Sequence, residues 1–129
     1  MTISILSSLV LIAVCNQPVQ DLDSPRREPA TAVTNALQLL EKKDYVGFLK
    51  TYMRPNDLKQ MTASRSIETF AAEFGERRAA KLVTILREAS TLQPLVDAGR
   101  TRADYNFAKP VEGEATLSLR KIDGYWYIR

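Results

Sequence analysis

Apolar residues follow a helical period through the first half of the region that begins at Pro29. Asp44 can cap a short helix that stops before Pro55, because the residue preceding a proline disfavours helical geometry. A single turn is predicted at residues 57–61. Residues 30–43, which precede that short helix, are predicted to form an amphipathic first helix, because apolar side chains recur there every three to four positions. These side chains are Val33, Ala36, Leu37 and Leu40.

A long third helix is predicted from Ser64 or Ser66 to about Ser90. Gly75 favours a kink or break, since glycine costs about 1 kcal/mol relative to alanine inside a helix. In an unbroken helix Arg78 would lie near the centre of the apolar stripe. At 100° per residue that stripe fills an arc of about 120° and contains Ile67, Phe70, Ala71, Phe74, Leu82, Ile85 and Ala89.

After Pro94 the period changes from 3.6 to 2, which indicates strands with one buried face. Residues 95–97 are a candidate short strand, and residues 102–107 and 115–120 alternate apolar with polar side chains. The dipeptide Asp123-Gly124 signals a two-residue hairpin that pairs Ile122 with Tyr125 and Leu119 with Ile128. The predicted fold class is α+β: three N-terminal helices packed on an antiparallel sheet of three or four strands.

The first residues have the pattern of an export signal. Residues 1–20 carry no charged side chain, and as a helix the apolar run 3–15 would span only roughly 20 Å of a bilayer core of about 30 Å. Residues 1–15 are therefore predicted to be a signal peptide. Residues 12–15 also resemble the lipobox of bacterial lipoproteins, in which Cys15 would be lipidated, although Val14 departs from the usual small residue. Cleavage, lipidation and a buried N-terminal element stay open as alternatives.

A polar segment follows this signal. Prolines at positions 18, 25 and 29 stand among charged residues, which predicts a flexible linker over residues 16–28 and a single domain over residues 29–129. We therefore expect a secreted or periplasmic protein whose only membrane contact is a lipid anchor at Cys15, if that residue is lipidated.

The amino-acid composition limits which catalytic and metal-binding sites the protein can form. The 129 residues include no His and one Cys, which excludes His-based triads, His metal sites and Cys-rich zinc sites, so we expect no metal and no cofactor. The net charge is +3, from 18 basic and 15 acidic residues. Because each basic cluster has an acidic neighbour, a solvated surface is favoured, and we expect no nucleic-acid partner.

The order of the predicted elements and the ending DGYWYI at residues 123–128 resemble the nuclear transport factor 2-like superfamily. The resemblance is greatest to its small secreted bacterial members and covers about residues 30–129. It implies a cone in which a curved sheet wraps a long helix and leaves a pocket at the open end. Some relatives are isomerases, dehydratases or cyclases with Asp, His and Tyr in the pocket, whereas others bind ligands or partners. This chain has no His and no catalytic motif to carry over, which favours binding.

Nine side chains on the predicted inner faces are candidates for the lining of that pocket. Arg78 would offer hydrogen-bond donors to a carboxylate or phosphate, or would lie at the surface if a break at Gly75 shifted the helix. The aromatic candidates would suit a flat apolar ligand, or else fill the core: Tyr45, Phe48, Tyr52, Phe70, Phe74, Tyr105, Phe107 and Trp126.

Two further sets of residues are candidates for other roles. Asp104 or Asp97 beside Tyr105 would suit acid–base chemistry, but strand alternation places Asp104 on the face opposite Tyr105. The outer face of the sheet holds candidates for a homodimer interface, as is common in relatives of this fold: Ile122, Tyr125 and Tyr127.

We therefore expect an exported, non-enzymatic domain that binds a small apolar or anionic ligand, or a protein partner, in the cell envelope. The alternatives are a cofactor-free lyase or isomerase with a Tyr/carboxylate pocket, and a structural dimerisation module. A carboxylate buried in the pocket with a raised pKa would distinguish the enzyme from the binding protein.

Overall fold

In the computed structural model, which describes residues 24–129, five α-helices precede a four-stranded antiparallel sheet. The predicted signal peptide, Cys15 and most of the predicted linker lie outside the described residues. After a 3-10 helix (Pro25–Arg27), the helices are α1 (Pro29–Glu41), α2 (Tyr45–Tyr52), α3 (Pro55–Met61), α4 (Ile67–Arg77) and α5 (Ala79–Ala89). None of the helices in this part of the chain is both long and apolar enough to cross a bilayer.

Prolines and capping side chains determine where the helices begin. α1 and α3 each start with a proline, whose missing N–H costs nothing at the first helical position. The Asp44 carboxylate accepts a hydrogen bond from the Gly47 N–H at the start of α2, at 3.0 Å. The Ser66 hydroxyl accepts one from the Thr69 N–H at the start of α4, at 3.2 Å. Both predicted caps are thus confirmed.

The long third helix of the prediction is two helices in the structure. α4 ends at Arg77 and α5 starts at Ala79, with Arg78 between them at φ −124° and ψ −25°. The break therefore lies three residues beyond Gly75, which is inside α4. A Cβ at Gly75 would come within 2.5 Å of the Tyr45 ring. The absence of a side chain at Gly75 therefore allows the Tyr45 ring to lie close to α4 and does not break the helix. Since residues 55–61 also form a complete helix, five helices stand where three were expected.

The sheet is a meander in the order β1-β2-β3-β4. Asp123 and Gly124 both have positive φ, 52° and 89°, as a two-residue hairpin turn requires. The predicted register of this hairpin is confirmed, with Ile122 opposite Tyr125 and Leu119 opposite Ile128. The strands are β1 (Leu95–Val96), β2 (Arg102–Val111), β3 (Glu114–Ile122) and β4 (Tyr125–Ile128).

The core lies between the helices and the inner face of the sheet. α5 packs on α1, β2 and β3, while α2 packs on α4 and β4. The predicted inner face of the sheet and the α+β class are therefore confirmed. The largest fully buried side chains come from both layers: Trp126, Tyr52, Tyr105, Leu49, Leu86, Leu119 and Val33.

Candidate functional site

The aromatic candidates for the pocket lie in or against the core. Tyr45 and Phe107 are half-buried, and Tyr45, Phe70 and Phe74 also line clefts at the surface. The Phe48 ring stacks on Phe74 with centroids 5.4 Å apart, and Tyr45 meets Phe74 edge-on at 6.0 Å. Six of the eight aromatic candidates are buried and contribute to the packing of the core: Phe48, Tyr52, Phe70, Phe74, Tyr105 and Trp126.

The two innermost tyrosine hydroxyls differ in their hydrogen bonding. Tyr52 Oη donates to Asn35 Oδ1 at 2.5 Å. Tyr105 Oη is buried and has no hydrogen-bond partner within the described residues. Burial raises the pKa of Tyr52 well above its ordinary value and raises the pKa of Tyr105 to about 12. Both hydroxyls are therefore neutral at physiological pH.

Arg78 lies at the surface, at the junction of α4 and α5. This exposure agrees with the second of the two alternatives that the sequence left open, but the helix break lies at Arg78 itself and not at Gly75. It nevertheless lines an open groove of about 550 Å³ between α5, the start of β3 and the end of β4. We call this the basic groove, because its lining contains one acidic residue, Glu114, and four basic residues: Arg77, Arg78, Lys81 and Arg129.

The floor of the basic groove is apolar. Phe74 and Ile85 are buried there, and Leu82 and Ile128 are half-buried. Within residues 24–129 none of the four basic side chains of the groove forms an ion pair. α5 also begins with no side-chain cap and no acidic residue in its first turn, which adds to the positive potential. The arrangement suits an anion that carries an apolar part.

A smaller cleft of about 260 Å³ shares Phe74, Arg77 and Arg78 with the basic groove. Its other lining residues come from the ends of α2 and α3, the loop before α4 and the inner side of α4: Met53, Met61, Arg65, Phe70 and Glu73. We call it the methionine cleft.

Sequence reasoning found only part of these surfaces. Phe74 and Arg78 were predicted from the helical stripe. Arg77 and Lys81 are close to Arg78 in sequence, and a cluster of basic residues around a helix break was the signal that could have found them. Arg129 and the two methionines offered no such signal, since they belong to separate elements.

The carboxylates near Tyr105 do not form a pair with it. Asp104 accepts hydrogen bonds from Ser118 Oγ at 2.7 Å and Arg102 Nε at 3.1 Å, and chiefly the first of these lowers its pKa. The N–H groups of Thr101 and Arg102 likewise lower the pKa of Asp97. Asp104 and the buried Tyr105 lie on opposite faces of β2, as the alternation predicts.

No acidic side chain of residues 24–129 is buried. The observation that would have favoured the enzyme is therefore not found in this part of the chain. The same residues contain no group of three or more His, Cys, Asp or Glu side chains arranged to hold a metal ion.

The candidate dimer face is partly covered by the chain itself. The Arg26 guanidinium lies over the rings of Tyr125 and Tyr127, with its central carbon 4.6 Å and 4.7 Å from the two ring centroids. Tyr127 is buried, while Tyr125 and Ile122 are half-buried. Sequence reasoning had assigned Arg26 to the linker. Ser24, which accepts a hydrogen bond from the Arg26 N–H at 3.2 Å, was the available sign of a capped turn.

The fold and the surface together define an α+β domain with a basic groove beside a broken helix. Comparisons of the chain with protein-family models, with curated proteins and with solved structures found no match. Membership of the nuclear transport factor 2-like superfamily therefore stays a prediction from the sequence.

Proposed function

We propose that this domain binds a small anionic ligand with an apolar part in the basic groove, as a binding protein of the cell envelope and not as an enzyme. The observation that carries the proposal is the combination in one groove of an apolar floor with four basic side chains that form no ion pair within the described residues.

The chemistry of the groove specifies the ligand class. Arginine presents a planar fork of donors that matches two oxygens of a carboxylate or phosphate, and Lys81 adds a point charge. Because these side chains are exposed, their attraction is screened by salt and contributes modest affinity alone. The apolar floor adds to it at about 25 cal/mol for each Å² removed from water. A ligand with both parts is therefore favoured over a bare ion.

The cellular location belongs to the same proposal. The uncharged apolar run at residues 3–15 supports export, and Cys15 is the candidate for a lipid anchor. Membership of the nuclear transport factor 2-like superfamily, in which some relatives only bind ligands, is part of the same proposal and is supported by the ending at residues 123–128 and by the helices that precede an antiparallel sheet.

Titration with hexyl phosphate, followed by amide NMR, tests the proposal. We expect shifts at Arg78, Lys81 and Leu82, and weaker binding at higher salt. The double variant Arg77→Gln/Arg78→Gln should weaken binding by about tenfold, since it removes two charge-assisted hydrogen-bond donors.

The matched control is Lys42→Gln/Lys59→Gln, which removes the same charge at two exposed positions outside the groove. It should leave the affinity nearly unchanged. Equal weakening by both double variants would show that only net charge matters, and the absence of binding to the unmodified protein would refute the proposal.

A further inference from the structure

The methionine cleft and the basic groove meet at the break between α4 and α5. Phe74, Arg77 and Arg78 belong to the walls of both. The apolar part of a ligand whose anionic group is bound by Arg78 can therefore lie on either of two apolar surfaces. One consists of Leu82 and Ile85 in the basic groove, and the other lies in the methionine cleft.

The lining of the methionine cleft favours a flexible chain. Met53 is half-buried, and Met61 has an exposed fraction of 40%, high for a large apolar side chain. Methionine side chains are unbranched and polarisable, so they adapt to a flexible apolar partner. Phe70 and Phe74, on successive turns of α4, supply the aromatic wall.

The charged side chains of Arg65 and Glu73, which line this cleft, form an ion pair with each other. Arg65 Nη1 donates to Glu73 at 2.7 Å, and the Arg65 guanidinium lies 5.3 Å from the centroid of the Phe70 ring. The charge of Arg65 is therefore partly neutralised. The free positive charge is concentrated at Arg77 and Arg78, on the side that the cleft shares with the basic groove.

We infer that the ligand is a single-chain anionic amphiphile, with its carboxylate or phosphate head at Arg77 and Arg78 and its alkyl chain in the methionine cleft. This inference rests on the proposed function and names the ligand class of the same site. The charge of the head matches the basic groove, and the chain matches the methionine and phenylalanine side chains of the methionine cleft.

A series of alkyl phosphates from butyl to dodecyl, each below its micellar concentration, tests the inference by calorimetry. While the chain is being buried, each added methylene should tighten binding by up to about fourfold. Met61→Gln should reduce this gain per methylene, because it replaces an apolar lining residue of the cleft with a polar one. Leu95→Gln, at another exposed apolar residue outside the cleft, is the matched control and should preserve the gain.

Methyl NMR locates the chain directly, because the protein has 3 methionines and two of them line the cleft. The Met53 and Met61 methyl signals should shift with dodecyl phosphate and move little with butyl phosphate. Shifts confined to Leu82 and Ile85, or equal affinity for all chain lengths, would overturn the inference and leave the proposed function intact.

Two other outcomes would contradict the inference for different reasons. If no alkyl phosphate binds in a way that depends on Arg77 and Arg78, the proposed function fails together with the inference. If the protein binds phosphatidylglycerol vesicles but not monomeric dodecyl phosphate, the groove binds a membrane surface and the single-chain ligand is ruled out.

Discussion

At the scale of single residues, Tyr52 and Tyr105 show how hydrogen bonding separates two otherwise similar side chains. Both are at most 1% exposed. Tyr52 donates to Asn35, whereas the Tyr105 hydroxyl is buried without a partner in the described part of the chain. A buried donor that makes no bond carries its desolvation cost without compensation, so the two hydroxyls are expected to contribute oppositely to stability.

Replacing each tyrosine by phenylalanine measures this difference. Tyr52→Phe should lower the free energy of unfolding by about 1 kcal/mol, because Asn35 Oδ1 loses its donor. Tyr105→Phe should leave that free energy unchanged or raise it. Urea unfolding followed by circular dichroism gives both values, and a larger loss for Tyr105→Phe than for Tyr52→Phe would contradict the assignment.

At the scale of elements, the α4–α5 pair shows that a glycine and a helix break are separate features. Gly75 lies inside α4 and faces the Tyr45 ring, while the chain breaks at Arg78. The Tyr45 ring cannot retreat freely because it also packs edge-on against Phe74. Because it has no side chain, Gly75 allows α4 to lie close to α2.

Gly75→Ala should therefore destabilise the protein although alanine is the better helix former by about 1 kcal/mol. In a Tyr45→Ala background the obstructing ring is gone, and the same substitution should stabilise. A double-mutant cycle in urea reports the sign in each background. A stabilising effect of equal size in both would show that the ring does not restrict the site.

At the scale of the whole molecule, the 3-10 helix ties the start of the described chain to the outer face of the sheet. Arg26 lies over Tyr125 and Tyr127 of β4, and Glu28 meets Arg100 before β2 at 3.4 Å. Arg26 and Glu28, which the sequence assigned to the linker, therefore contact the folded part of the chain. The homodimer at Ile122, Tyr125 and Tyr127 stays a prediction, on a face that Arg26 partly occupies.

Arg26→Gln should lower the free energy of unfolding by about 1 kcal/mol, since it removes a cation that contacts two aromatic rings. Arg27→Gln is the control, because the neighbouring arginine has the same charge but no such ring contact among residues 24–129. Urea unfolding of the two variants distinguishes them, and indistinguishable midpoints would mean that the ring contacts contribute nothing measurable.

The sequence by itself determined the features that depend on neighbours along the chain. The caps at Asp44 and Ser66, the hairpin at Asp123-Gly124 and the inner face of the sheet were all predicted correctly. Each arises from residues within a few positions, or from an alternation that burial on one face imposes directly.

Only the tertiary structure decided the helix break and the candidate site. Gly75 is explained by Tyr45, which lies thirty positions earlier, and the basic groove joins Arg78 to Arg129 across two layers. Such contacts depend on how helices and strands pack, because apolar burial is non-directional and leaves no local pattern that names the partner. The helical stripe therefore predicted Phe74 and Arg78, while their neighbours in the groove became visible only in the folded chain.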